Sequence, residues 1–348
     1  MNFESLGKII RKSFLSDLKK IGLAKTFKVP INYLIGKGRF FGDYYSIYLS
    51  EIVGLKDKSL IQKLGNAFLF GRTFVIAQDQ VLDNPQNFNP EYVLISSVLY
   101  DEFISKTTSL IDDPVFKRNM YRVLQEAREA NIFEQKNHRN KISPFTIKDL
   151  KNLGRKTGLV KIPAEAFSYL VNKRELAEKI KSISDNILIS IQICDDLADV
   201  VDDFKSGNYT IPVTHSLILS SRKFQTEEAI YEGLFSGGLF ESLLSYSLHL
   251  LKHTKSEIRS IAHNETQAEI YVSQLIMHLS RILEKYKKSK KNLSIKIYEE
   301  QDFTKLKPLT KFSKKVDSLK KYLKELEPAK IAPNVLNGHK DIIGTILK

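Results

Sequence analysis

Hydrophobic side chains recur three and four positions apart along most of this chain. Phe3, Leu6, Ile10, Phe14 and Leu18 make one stripe ahead of Gly22, and Leu60, Leu64, Ala67, Phe68, Gly71, Phe74 and Val75 make another. Such spacing predicts an amphipathic helix to about residue 22 and a longer one over 59–83. The same period runs through Val93–Leu110 and Leu170–Asp203, through a helix of smaller residues at Ile162–Val171, and through two or three helices between 223 and 286. The strongly charged segment Lys117–Arg139 reads as a peripheral helix. No segment alternates as a half-buried strand would, and the 16 glycines and 10 prolines cluster at a few points. The expected fold class is therefore all-α: a single domain of long helices over residues 1–286. A lysine-rich extension over 287–348, containing Pro308, Pro328 and Pro333, is expected to pack on or near it.

Composition narrows the class. With 42% hydrophobic and 27% charged residues the chain has the balance of a soluble globular protein, and no apolar run reaches membrane-spanning length. The N-terminal residues lack a secretory h-region, so the expected location is the cytoplasm. One cysteine, Cys194 beside Ile193, excludes a disulfide framework and predicts an inert buried thiol. The net charge of +14 is densest after Tyr286 and would attract polyanions. No zinc-finger spacing, P-loop, dinucleotide loop or aromatic RNA-binding signature accompanies it, so nucleic acid is not an expected partner.

The candidate chemistry lies in ILISIQICDDLADVVDDFKSGNYTIP, residues 187–212. Asp195, Asp199 and Asp203 are four apart and would stack along one stripe of a helix, with Asp196 and Asp202 beside them. Like charges at that spacing repel, and apolar neighbours imply burial, so the stripe calls for a cation. Asp79 and Asp83 form a second i,i+4 pair at a helix C-terminus, where acids are unfavourable without one. Cationic turns precede helices at Lys37 and Arg39 and at Lys156 and Thr157. A lone His215 after the loop reads as structural.

GKGR at 36–39, DQVLD at 79–83, KTGL at 156–159 and QICDDLADVVDDFKSGNYTIP at 192–212 occur in an order that resembles the trans-isoprenyl diphosphate synthases and the related class I terpene synthases, over roughly residues 30–215. The resemblance implies a helical bundle around an apolar cavity, with acidic motifs on facing helices holding about three Mg²⁺ ions over an allylic prenyl diphosphate. It assigns Asp79 and Asp83 to one metal-binding wall and Asp195, Asp199 and Asp203 to the other. Lys37, Arg39, Lys156 and Lys205 would contact phosphate oxygens, and Thr157 and Gln192 would line the carbocation's path. Phe74, Phe70 and Val75 are placed to wall or floor the cavity. Peripheral membrane contact and pairing of two copies stay open.

Departures from that pattern bear on the reaction. The first motif reads Asp-Gln-x-x-Asp rather than Asp-Asp-x-x-Asp, and no Lys or Arg occurs between Asp83 and Lys106, where elongating enzymes carry an arginine pair. Phe40-Phe41 replaces the Arg-Pro expected after GKGR, and Asn208 replaces the loop lysine. Each loss removes a contact to a second diphosphate. The expectation is therefore a terpene synthase releasing diphosphate, with chain elongation as the alternative. A non-catalytic partner subunit and a basic helical protein acting through its tail are the rivals from other classes.

Overall fold

The computed structural model describes residues 3–23, 40–83, 89–156, 158–220, 225–262, 264–289 and 316–326. Its helices are α1 (Phe3–Ile21), α2 (Phe40–Val53), α3 (Lys58–Asp83), α4 (Glu91–Leu110), α5 (Pro114–His138), α6 (Ile147–Lys156), α7 (Lys161–Leu170), α8 (Ala177–Ala198), α9 (Val200–Ser206), α10 (Ile211–Leu219), α11 (Glu227–Ser236), α12 (Leu239–Ile261), α13 (Gln267–Ser289) and α14 (Val316–Glu325). Among the described residues the sole extended pairing is an isolated antiparallel bridge between Arg139 and Asn208. The all-α expectation is met. No described helix is long and apolar enough to cross a membrane.

The stripes read from the sequence face the core. Leu6, Ile10, Phe14 and Leu18 are all buried, and α1 lies along α2 and α3. The longest helix, α3, packs along α4, while α8 is flanked by α7 and α12. Gly71 allows the α3–α4 approach, since a Cβ there would stand 2.9 Å from the Phe103 ring. Ile183, Ile187, Ile193 and Leu197 drive the burial of α8. Its buried hydroxyls are satisfied within the helix, Ser184 donating to the Ile180 carbonyl and Ser190 to that of Asn186. Of the extension after residue 286, the described helix α14 packs on α8, α11 and α13 through Leu319, Tyr322 and Leu323.

Three expectations need correction. First, α5 is not peripheral: Phe116, Met120, Val123, Leu124, Ala127 and Ala130 bury one face of it. Its charges mask a regular three-and-four spacing of small and apolar residues. Second, the helix expected over Leu170–Asp203 is interrupted. It starts afresh at Ala177 after a short 3-10 turn, and it breaks at Asp199 (φ −97°, ψ 12°) before α9 begins. Third, Phe70 packs edge-on to Phe14 with ring centroids 4.9 Å apart, inside the α1–α3 contact, and does not line the cavity that Phe74 and Val75 reach.

Candidate functional site

A cavity of about 300 Å³ opens between α3, α5, α6 and α8–α9. Phe74, Val75 and Leu82 of α3, Leu124 and Ala127 of α5, and Leu153 with Leu159 form its apolar side. Asp79, Asp195, Asp196, Asp199 and Asp203 form its acidic side, with Gln192 and Asn208. Two stretches of sequence about 115 residues apart thus supply carboxylates to one space, as the facing acidic motifs require.

The break at Asp199 shapes this wall. Its backbone lies in the sparsely used bridge region, yet its N–H still donates to the Asp195 carbonyl at 2.9 Å, and the Asp203 N–H donates to the Asp199 carbonyl at 2.8 Å. The hydrogen-bond ladder therefore continues across the break, and the three stacked carboxylates, which repel one another, line the cavity together with Asp196. Gly207 then ends α9 in the left-handed region (φ 74°). The following loop is tied to the end of α5: Asn140 N–H donates to the Gly207 carbonyl at 2.8 Å, and Tyr209 N–H donates to the His138 carbonyl at 3.0 Å.

Burial and mutual repulsion act on these acids. Asp196 is 5% exposed; burial first, then Asp203 and Asp195, push its carboxyl well above the usual range, against a hydrogen bond from Gln192 Nε2 at 2.7 Å and the charge of Lys156. Asp203 is pushed up to about 7, by burial and then by Asp199 and Asp195, despite donations from Asn208 and Thr210, each at 3.2 Å. Lys156, which also lines the cavity, forms an ion pair with Glu134 of α5. Burial works against its charge, but Glu134, Asp196 and Asp79 outweigh it and hold the ammonium charged well past the usual lysine range.

An acid whose folded pKa lies above its unfolded value of about 3.8 costs stability wherever it ionises. The folded chain then binds more protons than the unfolded one, so Asp203's contribution becomes less favourable as pH rises from about 4 to about 7 and stays unfavourable above. Asp203→Asn is accordingly expected to raise the metal-free thermal midpoint at pH 8 by about 2 °C or more, and to change it little at pH 4.5. Scanning calorimetry in chelator at the two pH values measures this. A gain that is equal at both would contradict it.

The donor chemistry suits Mg²⁺, a hard ion that takes one or two carboxylates and completes its shell with water and substrate phosphate. Among the described residues no three carboxylates, imidazoles or thiolates already stand grouped around one point.

No protein-family profile matches this chain, and neither does any curated protein. Solved structures do. The crystal structure of heptaprenyl diphosphate synthase from Staphylococcus aureus superposes with a TM-score of 0.61 at 14% identity, covering 84% of this chain and 99% of that one. The fold is that of the trans-isoprenyl diphosphate synthases. A geranylgeranyl pyrophosphate synthetase from the archaeon Geoglobus acetivorans superposes with a TM-score of 0.55 at 19% identity, covering 76% of this chain and 98% of that one.

Within this synthase fold the residues singled out from sequence separate into groups. Asp79, Asp195, Asp199, Asp203, Lys156, Gln192, Phe74 and Val75 share the cavity. Asp83 ends α3, with a side chain outside the described part, and Lys37, Arg39 and Thr157 also lie outside the described residues. Lys205 is displaced from the expected place: it lies on the exposed side of α9, where its ammonium meets Glu227 at 2.7 Å. A helix of seven residues turns it away from the acids that precede it. Cys194 is buried, its thiol pushed up to about 12 by burial and by Asp195 and Asp196, so it is inert as expected. His215 is structural, its Nε2 accepting from the Phe145 N–H at 3.3 Å.

Sequence reasoning missed the contribution of α5. Arg128, Asn131, Glu134 and Gln135 line the cavity. Their signal was present as polar residues three and four apart continuing the buried face of Val123, Ala127 and Ala130. Tyr100 was also missed; its hydroxyl accepts from Arg128 Nη2 at 3.2 Å and its ring lies 5.3 Å from that of Phe74.

Proposed function

We propose that this protein is a Mg²⁺-dependent class I isoprenoid enzyme that ionises an allylic prenyl diphosphate. The observation that carries this reading is one cavity with carboxylates from α3 and α8–α9 on one side, Lys156 beside them and an apolar side beyond. Asp79, Asp83, Asp195, Asp199 and Asp203 would hold the ions, about three of them in the resemblance. Bound Mg²⁺ supplies Lewis acidity, neutralising charge on the departing diphosphate. Lys156 adds a preorganised cation at the same end, and Lys37 and Arg39 belong to the same proposal. Gln192, whose Nε2 donates to Asp196, and Thr157 would by the resemblance line the path of the allylic cation. Phe74, Val75, Leu124 and Leu159 keep its chain from water.

Cyclisation or elimination with release of diphosphate is the reading favoured by the absent cations: between Asp83 and Lys106 the chain carries no Lys or Arg, so the contacts a second diphosphate needs are missing there. Prenyl transfer is favoured by the two similar structures, both of which are named as prenyl diphosphate synthases. Labelled isopentenyl diphosphate separates the two. The first predicts a hydrocarbon or terpene alcohol from farnesyl or geranylgeranyl diphosphate and no label in product; a labelled, longer diphosphate would establish the second. A cytoplasmic location and assembly as a homodimer complete the proposal.

A further inference from the structure

Lys156 occupies the last turn of α6, where the helix dipole favours a cation, and its side chain points into the cavity. Its ammonium is already engaged. Glu134, near the C-terminal end of α5, makes the contact, and the two side chains are 27% and 17% exposed. Arg128, the other described cation of the lining, lies on the exposed side of α5, over the Tyr100 ring at 5.6 Å and in hydrogen-bond contact with its hydroxyl. Among the described residues Lys156 is therefore the lining cation whose charge is felt at Asp79 and Asp196. An anion entering at the acidic end must meet an ammonium that a carboxylate holds.

We infer that Glu134 is a resident counter-ion for Lys156, displaced from it when a metal-bound diphosphate enters. This rests on the diphosphate reading above and adds a regulator of the same site. The pair has two consequences. It keeps the lysine charged and aimed into the cavity, which makes Glu134 a positioning residue. It also sets a threshold: a singly or doubly charged anion gains too little to separate a largely buried ion pair, whereas diphosphate with its cations gains enough. Glu134 thus selects diphosphate over phosphate and sulfate and weakens the binding of all three.

The test uses the full-length chain and inorganic anions, so that it reads binding apart from turnover. Calorimetric titration with inorganic diphosphate in Mg²⁺ is expected to show about tenfold tighter binding by Glu134→Gln than by the natural protein. Inorganic phosphate, bound weakly or not at all by the natural protein, should become measurable. Adding Lys156→Met to Glu134→Gln should abolish the gain, which a merely structural role for Glu134 would not produce. With prenyl diphosphate, KM should fall and kcat should not rise. Glu134→Asp keeps the charge and lengthens the contact, so it should show the same change at about two- to threefold, and it carries the test if the glutamine variant does not fold. Unchanged or weaker diphosphate binding in both variants would overturn the inference while leaving the diphosphate site standing. Failure of the natural protein and both variants to bind diphosphate would overturn the inference together with the reading beneath it.

Discussion

Replacing Asp195 or Asp199 by alanine is expected to lower turnover of an allylic prenyl diphosphate by about two to four orders of magnitude and to leave the protein folded. Both side chains line the cavity from consecutive turns, and in the proposed reaction they would hold the ions that take up charge as the C–O bond breaks. An effect of that size is what loss of preorganised electrostatic stabilisation produces. Stability should not follow activity downward. In the metal-free chain these carboxylates repel Asp203 and Asp196, so removing one relieves repulsion. Circular dichroism should therefore show natural helicity and an equal or higher melting midpoint. Full activity in both variants, with metal still required, would remove Asp195 and Asp199 from the site.

Gly233→Ala has the opposite profile, acting on the fold first. Gly233 lies in α11 where it crosses α10, and a Cβ there would stand 1.8 Å from the Ser216 carbonyl oxygen. That neighbour is backbone and cannot swing aside, so the two helices must separate. Overpacking of this kind costs about 3 kcal/mol, a fall of about 5 °C or more in the melting midpoint for a chain of this size. Because α10 follows directly on the Gly207–Thr210 loop, whose Thr210 hydroxyl donates to Asp203, diphosphate binding should weaken as well. A melting midpoint equal to that of the natural protein would show that the α10–α11 crossing is looser than the structure has it.

Much of this was legible in the chain. The α1 stripe of Leu6, Ile10, Phe14 and Leu18 and the extent of α3 follow from spacing, because a helix converts sequence period directly into a face, whereas the convergence of Asp79 with Asp195 was implied only by the family resemblance. What period cannot say is which neighbour that face meets. Phe70 and Phe74 lie four apart on α3, yet Phe70 meets Phe14 while Phe74 meets the cavity. In α5 the charged and polar residues together outnumber the apolar ones and hid a buried stripe, and with it Glu134. The break at Asp199 leaves the i,i+4 spacing untouched, so a straight helix and a kinked one read alike. Lys205 shows the same limit: a cation six residues past Asp199 belongs to the cavity or to the surface according to how a short helix turns.

Cyclisation, elongation and a silent subunit all share this fold, so the claim that most needs testing is ionisation itself. Purified protein with Mg²⁺ should be given geranyl, farnesyl and geranylgeranyl diphosphate in turn, with released diphosphate and organic products both measured. The account predicts stoichiometric diphosphate release and a hydrocarbon or terpene alcohol from at least one of them, abolished by chelator and reduced at least about a hundredfold by Asp195→Ala. No metal-dependent release from any of the three, with or without isopentenyl diphosphate, would contradict it.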